Sequence, residues 1–438
     1  MRQALVLALV FVLAGGALAK GSKGVFRKDV EFALDQLEKQ CGHLIEIKGI
    51  DWKKVRSRFR KEAKKVRTEG DEYLLLCRLI AALHDGHAYV KAPEDIRKSV
   101  EWPFDLAAGP GFFFCRIGDG IYVKSAWSNA KRSGVKPGMQ VLTIDKEEAN
   151  RWMAKRVEAL GEYLSFSTDQ QAFYFACHWG LGGPAGSRIR LQLKDGNGKK
   201  KTVTVTRGRA STVPVGPAFF PEGLTRIGRQ AYGTLPSGYG YIHLRDTKGQ
   251  VVEQMDEMLG QLGNVPGLIL DFRANGGGGF DHDGLLGRFV PRGKSMSRSG
   301  ARPIPSGGKT PYGGPVVVIV DAGVRSAGET GSGMFKEDGR AYMIGESPTA
   351  GMSSSKTTID LPSGRFGLYV SVRSNKARFQ GGKGIEGLGI QPHEIVSYDP
   401  KDLAEGKDTL IGRAEAILAD FPRKKVPYRP ERYGWKRE

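Results

Sequence analysis

Residues 315–320 carry the sequence PVVVIV and are followed, at residues 324–329, by VRSAGE. An uninterrupted run of β-branched residues bounded by small ones is typical of a parallel strand buried on both faces. Ser326 follows this strand in a tight turn that leads into a helix, a position that exposes a hydroxyl at the edge of a sheet. The stretch therefore predicts an α/β core with a candidate nucleophile at the carboxyl end of one strand.

The same pattern recurs upstream, where LILDFR at residues 268–273 predicts a second buried strand that ends in NGGGG at residues 275–279. Glycines let bare backbone N–H groups approach a ligand, as an oxyanion hole requires. Either feature alone is common, because Ser-Ala often begins a helix and a glycine run is often a flexible loop. Together they offer a nucleophile and hydrogen-bond donors on two strand ends, which indicates acyl-transfer chemistry.

Five short motifs follow one another along the chain: GYIHL at 240–244, DFRANGGG at 271–278, RSAGE at 325–329, GESPTAG at 345–351 and EGLGIQP at 386–392. In this order they resemble the motifs of the S41 peptidases, the family of tail-specific and tricorn-type proteases. The resemblance implies a ClpP/crotonase-like α/β catalytic core and a serine peptidase that acts on polypeptides.

The resemblance also bears on the general base. Many S41 peptidases use a lysine at the position that Met352 occupies here, and Lys356 is several residues out of register. The tricorn-type branch instead uses a histidine far upstream, and LHDGHA at residues 83–88 resembles its motif, which implies His87 as the base. A serine precedes the histidine in that branch, whereas this chain has Gly86, so one orienting hydroxyl is missing or replaced.

The glutamate of the tricorn-type tetrad lies roughly as far after the nucleophile as Glu386 lies after Ser326, so the resemblance implies an orienting role for Glu386. In this scheme the imidazole takes the serine proton and returns it to the leaving amine, and the carboxylate orients the imidazole. Backbone N–H groups of Ala327 and of Gly277 or Gly278 hold the oxyanion, each contributing about 3–4 kcal/mol. This chemistry needs neither a metal nor a cofactor.

The N-terminus has the composition of a secretory signal peptide over residues 1–19: Arg2, an apolar segment at 4–13 and Ala-Leu-Ala at 17–19. We therefore expect an exported protein, periplasmic or extracellular, with a retained N-terminal anchor as the alternative. No cysteine stands directly after the cleavage site, which disfavours a bacterial lipoprotein anchor, and no later run reaches the roughly 18 apolar residues of a membrane span. The sequence thus predicts no transmembrane segment after signal cleavage.

The chain is basic, with 67 Lys and Arg against 47 Asp and Glu and a formal net charge of +20. Such a charge favours acidic partners: anionic surfaces, cell-envelope polymers or acidic substrates. No nucleic-acid recognition module is visible, so we expect no nucleic-acid partner. The densest basic run, residues 53–67, carries apolar residues at helical spacing and is interpreted as a solvated helix face.

The four cysteines, Cys41, Cys77, Cys115 and Cys177, lack the C-x-x-C spacing of zinc or redox sites. An oxidising compartment permits two disulfides in any of three connectivities. Because two of these cysteines adjoin apolar runs, buried reduced thiols are the alternative.

The chain divides by pattern into consecutive regions of different composition. They are a signal peptide at 1–19, an N-terminal helical domain at 20–98 that carries the base, a PDZ-like β domain at 99–208, a linker at 209–229, the catalytic core at 230–420 and a basic tail at 421–438. The PDZ resemblance is clearest in SGVKPGMQVLTI at residues 133–144. The predicted class is therefore a multidomain α/β protein.

A PDZ domain adds a peptide as a strand to a sheet edge and holds its terminal carboxylate on the N–H groups of a Gly-x-Gly-Phe loop. The resemblance places Gly109, Gly111 and Phe112 in that loop and implies binding of a substrate C-terminus, although Pro110 lacks an N–H. A module that serves mainly as a gate is the alternative.

The leading hypothesis from these observations is an exported serine endopeptidase. A catalytically inactive peptide- or ligand-binding protein could be built on the same scaffold, because a fold does not by itself determine its chemistry. A serine esterase or amidase would use the same site.

Overall fold

The computed structural model describes residues 23–298, 301–352, 355–373 and 379–421. The predicted signal peptide at 1–19 lies outside the described residues, as does the basic tail beyond Phe421. Within the described ranges, none of the helices combines the length and the apolar composition needed to cross a bilayer.

Twelve α-helices are described: α1 Lys23–Ile47, α2 Trp52–Ala63, α3 Glu69–Ala81, α4 Glu94–Ser99, α5 Ser128–Arg132, α6 Ala149–Gly161, α7 Asp169–Cys177, α8 Val251–Leu262, α9 His282–Gly287, α10 Ala327–Glu337, α11 Pro400–Ala404 and α12 Thr409–Asp420. The strands are β1 Tyr89–Lys91, β2 Phe112–Ile117, β3 Gly120–Ala126, β4 Gln140–Ile144, β5 Glu147–Glu148, β6 Arg188–Lys194, β7 Lys200–Thr206, β8 Thr225–Ile227, β9 Gln230–Thr234, β10 Gly240–His243, β11 Leu268–Asp271, β12 Ser295–Arg298, β13 Ala301–Pro305, β14 Val316–Val320, β15 Tyr342–Gly345, β16 Lys356–Asp360, β17 Gly367–Ser371 and β18 Glu394–Ile395. The predicted mixture of helices and sheets is confirmed.

The largest sheet contains seven strands in the order β18-β15-β14-β11-β10-β9-β8. Its central strands run parallel, with Leu270 of β11 opposite Val318 of β14. Every residue of β14 is buried, as the β-branched run at residues 315–320 predicted. Because parallel strands end at the same edge, the carboxyl ends of β10, β11 and β14 meet there.

A second sheet, in the order β2-β3-β4-β6-β7 with β5 paired to β4, is antiparallel and has its own hydrophobic core. A turn at residues 195–198 joins β6 to β7. Only part of the predicted linker at 209–229 is irregular, because β8 at its end joins the edge of the large sheet.

The N-terminal helices pack against a hairpin that lies far along the chain. Strand β1 pairs antiparallel with β17, placing Val90 opposite Leu368, and β17 pairs with β16. Leu368 and Val370 are fully buried in the same hydrophobic cluster as α1, α2 and α3, and burial of each contributes about 1.5–3 kcal/mol. The structural unit around the helices therefore includes residues 356–371, which the sequence analysis assigned to the core.

All four cysteines are buried and unpaired. Burial raises the pKa of Cys41 and of Cys77 to about 12, so both thiols stay protonated and unreactive at neutral pH. The structure therefore has buried reduced thiols and not the two disulfides.

Candidate active site

Ser326 lies in the turn between β14 and α10, and helix α10 begins at the next residue. Its backbone has φ 55° and ψ −126°, a conformation that L residues rarely adopt. Such a conformation costs about 1–3 kcal/mol and persists only where neighbouring contacts hold it. The strained turn leaves the half-buried Ser326 side chain at the carboxyl end of the sheet.

The turn is held by Glu329, a fully buried residue that the sequence analysis did not single out. Its Oε1 accepts hydrogen bonds from the Thr349 hydroxyl at 2.6 Å and from Gly351 N at 2.7 Å. Its Oε2 accepts from Met352 N at 2.9 Å and from Ser326 N at 3.1 Å. Burial raises the pKa of Glu329 to about 7, against the opposing effect of these donors. The Ser-x-x-Glu spacing of a capping box was the signal that could have found it.

The glycine loop packs directly against this turn. Asn275 O accepts from Arg325 N at 3.1 Å, and Asn275 Oδ1 accepts from Gly277 N at 2.8 Å. A Cβ at Gly277 would lie 3.0 Å from Ser326 Cβ and 3.1 Å from Ala327 N, which requires glycine there. The Gly277 N–H is thus already bound in this conformation. Among the described residues, the N–H groups of Gly278 and Ala327 have no hydrogen-bond acceptor, so both can donate to an oxyanion.

His87 lies in a loop after α3 that Asp85 fixes. The fully buried Asp85 carboxylate accepts from His87 N at 3.0 Å and from Ser371 N at 2.7 Å, which ties the loop to β17. The Asp85 N–H donates to Ser165 Oγ at 2.8 Å. The pairing of β1 with β17 therefore positions the histidine backbone.

Both ring nitrogens of His87 are buried, and neither has a hydrogen-bond partner within the described part of the chain. Burial, followed by the nearby positive charge of Lys356, lowers the pKa of His87 to about 4. The charge of Arg325 also lowers it, and that of Asp85 raises it. The imidazole is therefore neutral at pH 7 and able to accept a proton, and such unpartnered buried groups in a native structure call for a functional explanation.

Glu386 is buried, and its Oε1 accepts from Lys48 Nζ at 2.7 Å and from Ser167 Oγ at 2.9 Å. Ser167 Oγ also accepts from Gly86 N at 2.9 Å. A serine at position 86 would require the Gln171 side chain to shift, because its Cβ would lie 2.8 Å from that side chain. The hydroxyl that contacts the carboxylate is thus supplied by Ser167, a residue for which the sequence offered no signal. Glu386 reaches the histidine loop through this hydroxyl rather than through the ring.

Met352 contacts both the loop that carries His87 and the turn that carries Ser326. Its carbonyl accepts from Ser326 N at 3.0 Å, and its Sδ accepts from Gln171 Nε2 at 2.9 Å. A Cβ at Gly86 would come within 2.9 Å of the same sulfur. Met352 therefore contacts the loop of His87 through its side chain and the turn of Ser326 through its carbonyl, which joins the two segments.

In the second sheet, the predicted carboxylate loop is partly occupied. Gly109 N donates to Gly208 O at 3.2 Å, so this amide is not free to bind a peptide. Gly111 has φ 86°, and Phe112 begins the edge strand β2. Trp127 N donates to Gly111 O at 2.7 Å, so the Phe112 amide faces away from β3 in the antiparallel ladder.

Residues 238–396 match the model of the family described as Peptidase family S41. A chloroplastic C-terminal processing peptidase from Tetradesmus obliquus is 31% identical over 238 residues, which are 51% of this chain and 48% of that protein. The chloroplastic carboxyl-terminal-processing peptidase 2 of Arabidopsis thaliana is 27% identical over 287 residues, 62% of this chain and 49% of that protein. This chain spans about half the length of both curated relatives.

A crystal structure of mature CPAF resembles this fold with a TM-score of 0.65 and covers 92% of this chain and 98% of that chain. The sequences are 14% identical, so the likeness establishes a common fold.

Proposed function

This chain carries a peptidase family S41 domain, and from that premise we propose that it is an exported serine endopeptidase with Ser326 as nucleophile and His87 as general base. The observation that carries the proposal is a neutral His87 with two buried, unpartnered ring nitrogens, in a loop that Met352 joins to the strained turn of Ser326. The predicted signal peptide at residues 1–19 supports export to a periplasmic or extracellular compartment.

In the proposed reaction the Ser326 hydroxyl attacks the scissile carbonyl while the imidazole takes the hydroxyl proton. The imidazole then donates this proton to the leaving amine. A water molecule, activated by the same imidazole, hydrolyses the acyl-enzyme. The N–H groups of Ala327 and Gly278 stabilise the oxyanion, as donors aimed at developing charge do. Gly277 contributes by letting the glycine loop approach the serine.

Glu386 acts in this proposal as a positioning residue. Its carboxylate holds Ser167, whose oxygen accepts from Gly86 N, so the peptide before His87 stays fixed. Lys48 neutralises the carboxylate and also donates to His84 O. Orientation of the base thus comes through its backbone on both sides, since Asp85 holds the His87 N–H.

The PDZ-like sheet is proposed to bind or gate the polypeptide substrate through its edge strand β2, with Gly111 and Phe112 as the contacting residues. The edge position of β2 and the outward Phe112 amide support addition of a peptide strand there.

Two measurements test the proposed function. A fluorophosphonate probe should label the wild type and not Ser326→Ala, because the probe requires an activated serine. Digestion of an unstructured polypeptide by the wild type and not by Ser326→Ala should distinguish an endopeptidase from an esterase or amidase. Absence of labelling in a folded wild-type protein would establish the inactive binding protein instead.

A further inference from the structure

A cavity of about 200 Å³ opens beside the nucleophile turn, at the carboxyl ends of β10, β11 and β14. Gly276 and Gly277 of the glycine loop form part of its wall, and Trp179 forms another part. A Cβ at Gly277 would lie 3.0 Å from Ser326 Cβ, so the cavity borders the reacting centre. We call it the cationic cleft.

Four cationic side chains and one carboxylate line the cleft: Arg229, Arg245, Lys248, Arg325 and Asp246. The carboxylate pairs with Arg229 at 3.0 Å. Over the described ranges, the other three cations have no carboxylate partner. The Arg245 guanidinium donates to Pro214 O at 2.8 Å, a neutral acceptor.

Burial lowers the pKa of Arg245 most. The charges of Arg229 and Arg325 lower it further, because these cations repel one another, whereas Tyr174 and Asp321 raise it. Arginine nevertheless stays charged in proteins. A concentration of like charge in a concave, partly desolvated site is unfavourable by itself and is relieved when an anion binds.

We propose that the cationic cleft is a substrate subsite that binds a carboxylate of the polypeptide next to the scissile bond. This inference rests on the proposed function, since it concerns the substrate of the Ser326 site. The volume is below the roughly 300–1,000 Å³ of small-molecule sites, so it suits one side chain or a chain terminus. The planar guanidinium of Arg245 and of Arg325 suits bidentate binding of a carboxylate.

The carboxylate could come from an Asp or Glu side chain or from the substrate C-terminus, and one peptide set distinguishes these sources. Internally quenched octapeptides are made with Glu or Gln at each position in turn, each as the free acid and as the C-terminal amide. A side-chain site predicts a preference for Glu over Gln at one position. A terminal site predicts a preference for acid over amide. We expect a ratio of kcat/KM of at least about tenfold at low salt, equivalent to about 1.4 kcal/mol, and smaller in 1 M NaCl.

The variants Arg245→Gln and Lys248→Gln should reduce that ratio towards one. Lys248 is exposed, so its replacement leaves buried contacts intact. The Lys248 variant therefore still tests the subsite if the Arg245 variant folds poorly. Arg226→Gln, at an exposed arginine of β8 outside the cleft, is the matched control and should keep the wild-type ratio. Because neither variant alters the second sheet, any preference that belongs to the PDZ-like sheet would persist in both and would overturn the assignment to the cleft.

The same peptides, labelled with fluorescein, are also titrated into Ser326→Ala and followed by anisotropy. Hydrolysis of all peptides with equal kcat/KM would refute the subsite while the endopeptidase stands. Binding that keeps the Glu or free-acid preference, without hydrolysis by the wild type, would support the subsite and refute the proposed function. Equal binding of acidic and neutral peptides would refute the subsite whatever the wild type hydrolyses.

Discussion

The substitution Glu329→Gln tests whether the buried carboxylate behind Ser326 holds the nucleophile turn. It exchanges one carboxylate oxygen for an NH₂ group and keeps the shape of the side chain. Both oxygens of Glu329 accept hydrogen bonds from two donors each. An amide has one oxygen, so in either orientation its NH₂ group faces two donors.

The cost follows from counting the donors that lose their acceptor. With the NH₂ group towards Met352 and Ser326, Met352 N is left without a partner, because Ser326 N keeps the Met352 carbonyl at 3.0 Å. In the opposite orientation Gly351 N is left, because the Thr349 hydroxyl can rotate and accept. One buried unsatisfied N–H costs about 1–3 kcal/mol. We therefore expect the free energy of unfolding to fall by about that amount.

Urea unfolding at pH 8, above the pKa of the carboxylate, measures this loss, and kcat on a peptide substrate measures its effect on Ser326. We expect kcat to fall along with stability, because in either orientation one of the segments that Glu329 ties to the strained turn loses its acceptor. Glu253→Gln, at an exposed position on α8, is the control and should change neither. A Glu329→Gln protein with wild-type unfolding and wild-type kcat would refute the positioning role.

Three further predictions concern the charges of the site and its surroundings. Because burial lowers the pKa of His87 to about 4, the acid limb of kcat/KM should lie near pH 4, and a limb near the unperturbed value of about 6.5 would contradict this. Glu386→Gln should lower kcat with KM little changed, since its effect is on orientation of the base; a raised KM alone would move Glu386 to substrate binding. Lys124→Met should lower the thermal midpoint, because it leaves Glu346, 2.8 Å from Lys124 Nζ, without its buried partner at a cost of about 3–5 kcal/mol, and adding Glu346→Gln should restore part of the loss.

Much of the core followed from local sequence, because strands β11 and β14 consist of apolar residues that can be stable only inside a parallel sheet. The turn at Ser326 and the glycine loop followed for the same reason, since both lie directly at strand ends. Periodicity within residues 53–67 also indicated the buried face of α2, where Phe59 and Ala63 are buried.

The parts that sequence did not predict depend on contacts between distant segments. Pairing of β1 with β17 places Ser371 on the Asp85 carboxylate, and nothing near residue 85 indicates which strand will lie there. Ser167 reaches Glu386 from the loop before α7, so its role depends on how the second sheet packs against the core. The sequence around Gly86 therefore did not indicate which other segment supplies the hydroxyl that is missing from the motif.

The electrostatics of the site favour negative charge that develops at the serine. Burial and, after it, the charges of Lys356 and Arg325 lower the pKa of His87, so in the free protein the neutral imidazole is the stable form. The same charges would stabilise an oxyanion at the N–H groups of Ala327 and Gly278, because an electrostatic field that opposes a cation favours an anion. Once an oxyanion forms, its charge offsets that field at the ring and makes the imidazolium less costly. The positive charges that add to the effect of burial on the pKa of the free base thus also favour the tetrahedral intermediate.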